Sequence, residues 1–216
     1  MMISDKFLFY FTNTILFFSF FPTAVFFIKR KIGLETLSLF IYVFISSIAD
    51  IIGLYLINDY EIRTTFQYFF TIFEILVISI MYLTIVNNVY FKLSIKLLAL
   101  LFVVFNILYL LFSKSFLKTY YYFDPIEAFL IVIYSISYLY EKIKNSYLLN
   151  VSENYFFWIN SAFLMHFGST FILALFTPFF DTTNTYNMNT LGLYYLLISL
   201  LFQTFLTIGV WKIKRV

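Results

Sequence analysis

The chain of 216 residues is 62% hydrophobic and 25% aromatic but only 12% charged, with a formal net charge of +3. A mean hydropathy of +0.92 excludes an ordinary water-soluble domain, which carries about twice that charged fraction, and makes lipid the solvent of its surface. Cysteine is absent, which removes disulfide frameworks, thiol nucleophiles and cysteine-based metal sites.

A helix crossing the hydrocarbon needs about 20 apolar residues, and seven runs reach or approach that length. The first, 7–28, is too long for the core of a signal peptide. It has no small-residue cleavage site before Lys29-Arg30-Lys31 and reads as a retained span. The others are 37–57, 64–86, 96–112, 125–140, 155–175 and 191–211, of which the fourth and fifth are short. The breaks between them are too brief to fold alone. The sequence therefore predicts an all-α, polytopic membrane protein: a seven-transmembrane-helix bundle forming a single transmembrane domain over 1–216. No internal repeat relates the first three spans to the last three. Pro22 lies within the first span, whereas Pro125 stands at the start of the fifth.

Orientation is read from the basic residues. Lys29, Arg30, Lys31, Lys92, Lys96, Lys142, Lys144, Lys212, Lys214 and Arg215 share one side of such a bundle. Lys6, Arg63, Lys114 and Lys118 share the other. This bias places the N-terminus outside and the C-terminus in the cytoplasm. Abundant Phe, Tyr, Ile, Asn and Lys suit an AT-rich bacterial genome, so the expected location is the bacterial inner (cytoplasmic) membrane, as a multi-pass protein. Trp158 and Trp211 then fall at the inner interface and Tyr120-Tyr121-Tyr122 at the outer one, where amphipathic rings settle.

Asp50, Glu74 and His166 lie deep within apolar runs. An ionised carboxylate at the bilayer centre costs about 2.5 kcal/mol or more, so such groups face protein or water. Residues three and four apart share a helix face. Asp50 thus groups with Ser46, Ser47 and Gly53, Glu74 with Gln67 and Thr71, and His166 with Ala162, Ser169 and Thr170. Counting along the spans puts Asp50 and Glu74 at matching depth, roughly 10–15 Å below the outer boundary. Asn13, Gln67 and Asn106 fall in the outer half, and Gln203 lies as deep as His166, near the midplane. The expected assembly is a polar chamber open to the outside, walled by Asp50 and Glu74 and floored by His166 and Gln203. Glu127, one turn into the fifth span, reads as a rim residue. The plainer reading of Asn13, Asn106 and Gln203 is interhelical hydrogen bonding worth about 0.6 kcal/mol each.

Several chemistries are excluded by what is missing. A retinal protein needs a lysine deep in its last helix, and 191–211 contains none. A seven-helix zinc hydrolase needs several histidines, and this chain has one. Neither a Gly-rich phosphate loop nor a serine nucleophile elbow is present. No metal, cofactor or nucleic acid is called for.

The stretch Tyr68-Phe69-Phe70-Thr71-Ile72-Phe73-Glu74-Ile75-Leu76, the run Ser46-Ser47-Ile48-Ala49-Asp50 and Phe157-Trp158-Ile159-Asn160 resemble the pattern of a family of bacterial seven-helix membrane proteins with no established activity. In that pattern an aromatic residue stands where this chain has His166. The resemblance implies the same helix order and an association with signalling kinases. The expected function is a receptor-like or sensory module, not an enzyme. It would take a small or amphiphilic ligand from its outer chamber and act through a cytoplasmic or membrane signalling partner, with the lipid bilayer around it. A small-molecule transporter or proton-coupled carrier is the alternative, and a two-carboxylate, lipid-acting intramembrane hydrolase the third reading.

Overall fold

In hydrocarbon a backbone amide has no water to pair with, so long apolar runs close their hydrogen bonds internally as helices. The computed structural model describes residues 5–29, 34–52, 59–112, 123–144, 153–177 and 185–213. Among them are seven helices and no strand: α1 (Asp5–Lys29), α2 (Leu34–Ile51), α3 (Tyr60–Ile85), α4 (Val89–Phe112), α5 (Phe123–Lys144), α6 (Tyr155–Phe176) and α7 (Thr185–Trp211). Six of them are long and apolar enough to cross a membrane; the apolar stretch of α2, Thr36–Ile51, is shorter.

The helix ends differ from the hydropathy boundaries for local reasons. α3 starts at Tyr60, before its apolar run, because the Asp59 side chain caps it, accepting from the amides of Glu61 at 2.8 Å and Ile62 at 3.1 Å. α4 starts at Val89, not at 96. Asn88 Oδ1 accepts from the amide of Tyr90 at 2.9 Å and that of Phe91 at 3.3 Å. Lys92 and Lys96 are then carried on the first turns of a helix. α5 runs past 125–140 at both ends, with Asp124 in its first turn and Lys142 and Lys144 in its last, charges that complement the helix dipole. α2 is α-helical to Ile51. The expected extension to 57, Gly53 included, lies outside the described residues, as do Tyr120-Tyr121-Tyr122.

Each helix packs against the next in the chain, α7 returns against α1, and α3 also reaches α5, so the seven form a closed ring. Neighbours run antiparallel. Phe26 of α1 meets Phe40 of α2 at 5.6 Å, while further along Ser47 donates its hydroxyl to the carbonyl of Ser19 at 2.8 Å. The bundle thus has two ends, and "upper" here denotes the end at which α1, α3, α5 and α7 begin. Two odd-numbered helices touch directly and in parallel. Thr71 of α3 bonds Asp124 of α5 and Tyr82 bonds Ser135, both at a separation of 53 residues.

Interior and exterior both mix aromatic with aliphatic side chains, divided by helix face. α4 shows the division at helical period: Ile95, Ala99, Phe102 and Asn106 are buried, whereas Leu97, Leu100, Leu101, Leu108 and Leu111 are exposed. In the lower half, the Tyr82 hydroxyl lies 2.8 Å from Ser135 Oγ and donates to Asn160 Oδ1 at 2.7 Å. Asn160 Nδ2 donates to the carbonyl of Ser135 at 3.4 Å. One hydroxyl thereby ties α3, α5 and α6 together in a fully buried position. Tyr82→Phe is expected to cost about 1 kcal/mol, the sum of two intramembrane hydrogen bonds, read as a lowered unfolding midpoint in detergent micelles. An unchanged midpoint would mean that the network is silent.

Candidate functional site

The face of α3 that carries Gln67, Thr71 and Glu74 turns toward α2 and α5. Glu74 is half-buried, and the Tyr42 hydroxyl of α2 donates to its Oε1 at 2.9 Å. Thr71, buried, donates to the carbonyl of Gln67 at 3.1 Å and contacts Asp124 Oδ1 at 3.4 Å. The 53-residue register of α3 on α5, which pairs Thr71 with Asp124 and Tyr82 with Ser135, puts Glu127 at the height of Glu74. Glu74 lies near enough to Glu127 to act on it electrostatically, and Asp124 acts on both.

Asp50 belongs to the same group but holds a different place. It acts electrostatically on Glu74 and Tyr42, yet no hydrogen bond among the described residues joins it to Glu74. Its side chain is exposed while protein crowds its carboxyl. Exposure falls with depth along this group. Gln67, Asp50 and Asp124 are exposed, Glu74 is half-buried, and Glu127 is 4% exposed. The upper end of the bundle therefore carries a group of carboxyls on α2, α3 and α5, with Tyr195 of α7 close enough to sense Asp124.

Beneath it the bundle is closed by rings. Tyr42 meets Phe163 at 5.3 Å and Phe202 at 6.5 Å. Phe163 meets Phe202 at 5.9 Å and Tyr82 at 6.4 Å. Tyr82 packs on Tyr134 at 5.9 Å. Tyr42, Tyr82, Tyr134 and Phe163 are all essentially inaccessible.

The remaining expected site residues divide. Gln203 is 8% exposed and its Oε1 has no hydrogen-bond partner among the described residues. His166 shares its level, because the imidazole stacks on Phe202 at 4.4 Å. Its Nδ1 is likewise unpartnered there, and no charged group acts on it. His166 thus lies on the α6–α7 seam among aromatic rings and is not drawn to the carboxyls. Asn106 lies elsewhere, fully buried between α4 and α3. Its Nδ2 donates to the carbonyl of Phe102 at 2.7 Å and its own carbonyl accepts from Tyr68 at 2.6 Å. Ser46 is half-buried on α2, whereas its neighbour Ser47 makes the contact to α1.

Tyr42 and Asp124 belong to the group although the sequence did not single them out. Glu127, expected at the rim, is instead buried, because α5 begins two residues earlier than its apolar run and its first turns pack against α3. The signal available was spacing: Asp124 and Glu127 repeat the three-residue step of Thr71 and Glu74. Among the described residues no three His, Cys, Asp or Glu side chains converge as metal ligands.

Fold and site together define an all-helical bundle with the length and apolarity of a multi-pass membrane protein. Comparison with family models, with curated proteins and with solved structures found no match. The likeness carried by 46–50, 68–76 and 157–160 thus stands without a matching family model.

Proposed function

We propose that the chain is a receptor-like membrane module that takes a small or amphiphilic ligand at its upper end and acts through a partner protein. The observation that supports this reading is the group of carboxyls at the upper end, graded from exposed Asp124 to buried Glu127, with the Tyr42–Phe163–Phe202 rings packed beneath it. A carrier needs a route to both faces, and the ring layer supplies a floor instead. The lipid hydrolase ranks below, since catalysis would require a substrate bond held between the two glutamates, which Tyr82 and Phe163 wall off from the lower half.

In this reading all seven helices span, with α2 meeting the thickness of the bilayer by local thinning or by contributions beyond its apolar 16 residues. The upper end faces outward from a bacterial inner membrane and the basic lower end faces the cytoplasm. Lys212 lies over Trp158 at 5.9 Å, the pairing of a basic group with an interfacial ring that such a lower face would carry.

Mass spectrometry of the purified protein is expected to reveal a co-purifying lipid or metabolite that is lost on Glu74→Gln. A clean apoprotein from several detergents, identical for wild type and variant, would refute the chamber. Topology is tested separately, because no native cysteine interferes. A cysteine replacing exposed Glu61 should react with an impermeant maleimide in intact cells, after outer-membrane permeabilisation if there is one. One replacing exposed Lys144 should react only after lysis. The opposite pattern would invert the orientation.

A further inference from the structure

We propose that the lower corner of the bundle, where α4 begins and α5 ends, binds an anionic phospholipid of the surrounding leaflet, with its phosphate on Lys92 and Lys96 and its chains along the exposed leucines of α4. The inference rests on the bundle spanning a membrane and is independent of any ligand at the upper end.

α4 and α5 are joined at this corner. Phe91 meets Tyr140 at 5.9 Å, the Tyr134 hydroxyl donates to the carbonyl of Ile95 at 3.4 Å, and Glu141 accepts from the amides of Asn87 and Asn88. Lys92 and Lys96 are four residues apart and share a face of α4, and exposed Lys144 is the last residue of α5. Glu141 is the one carboxylate in the last two turns of α3 and α5 and the first two of α4. It is buried, and both its oxygens are taken up by backbone amides. Among the described residues Lys92, Lys96 and Lys144 make no ion pair. The corner therefore holds cations without counter-ions.

The position of Lys96 selects lipid as the source of the anion. α4 has 24 residues and is about 36 Å long, only a few ångströms more than the hydrocarbon at each end. Lys96 lies seven residues past Val89, about 10 Å along the helix, exposed between exposed Leu93 and Leu100. Its backbone is thus level with acyl chains, where an ammonium group would have neither water nor a protein partner. Side chains of a helix lean toward its N-terminus, which for α4 is the lower surface. The stem of Lys96 can therefore lie on leucine and lift its charge toward Lys92. Two cations on one face then meet one phosphate at the head-group level, with the exposed rings of Tyr90 and Tyr140 at the same end. A head group of net negative charge gains from this pair; a zwitterionic one brings an ammonium of its own. A soluble polyanion could approach Lys144 but not Lys96, which lipid flanks.

The test is native mass spectrometry of the full chain in detergent micelles, titrated with dioleoylphosphatidylglycerol or dioleoylphosphatidylcholine. Phosphatidylglycerol is expected to bind at least about tenfold more tightly. Lys92→Gln and Lys96→Gln, with circular dichroism matching wild type, should each weaken it about fivefold, the effect of one basic residue at an anionic surface, and leave phosphatidylcholine unchanged. The wild-type comparison needs no variant and decides the matter even if both substitutions unfold: equal affinity for the two lipids would overturn the proposal. A preference that survives undiminished in the folded Lys92→Gln/Lys96→Gln double variant would remove the lipid from this corner. Displacement of phosphatidylglycerol by chain-free glycerol phosphate at equal concentration would replace the lipid by a soluble phosphate.

Discussion

Glu141→Ala is expected to lower the stability of the bundle by about 3 kcal/mol. Glu141 is 4% exposed. Its Oε1 accepts from the amide of Asn87 at 2.9 Å, and its Oε2 from Asn87 at 3.1 Å and from Asn88 at 3.0 Å. These amides belong to the turn between α3 and α4, where N–H groups at the start of a helix have no intrahelical acceptor. Hydrogen bonds to a charged group contribute about 1.5–3 kcal/mol, and deleting the acceptor also strands the donors. Glu141→Gln keeps one oxygen and should recover part of the loss. Unfolding of the three proteins in the same micelles gives the order wild type, Gln, Ala. Equal midpoints for all three would show that water replaces the carboxylate at no cost.

The second large effect is at Gly209. A Cβ placed there would lie 2.6 Å from Ile159 Cγ1, 3.1 Å from the carbonyl oxygen of Tyr155 and 3.2 Å from the amide nitrogen of Ile159. The Ile159 side chain can rotate away; the two backbone atoms of α6 cannot. Close approach through a small residue is how membrane helices gain packing in the absence of a hydrophobic driving force between them. Gly209→Ala should therefore part the α6–α7 seam and cost about 1–3 kcal/mol, the range for overpacking; Gly209→Val should cost more. Gly192 on the same helix supplies the control, since a Cβ there meets nothing within 4 Å. Gly192→Ala should leave the unfolding midpoint unchanged or raised. Equal responses at the two positions would refute close packing at Gly209.

The bundle was legible in the sequence to the extent that hydrophobicity writes it. Apolar length alone gave seven helices in the right order, because backbone pairing in lipid leaves no other local option. The ends were not legible, since hydropathy is blind to caps. Asn88 and Asp59 start their helices from polar sequence, and Lys92 and Lys96 look like loop residues until a helix carries them. The acidic site was half legible. Glu74 stood out because a carboxyl inside an apolar run is costly, but its neighbour Glu127 did not. The depth of Asp50, counted from helix ends, carries no azimuth and no register. Glu127 reads as a rim residue because its apolar run begins only at Pro125. Which helices touch, and with what offset, is a tertiary fact that a single chain does not spell out. The same limit set His166 beside Gln203 correctly in height yet gave no hint that its ring would lie on Phe202.

α5 carries one glutamate at each end of its length. Glu127 lies in the acidic group of the upper end, near Glu74, and Glu141 grips the α3–α4 turn below. The 14-residue step between them makes nearly four turns of helix, about 21 Å long, with both positions on nearly the same side. One continuous helix therefore joins the acidic group of the upper end to the amides of Asn87 and Asn88, at the far surface where α4 and its lysines begin.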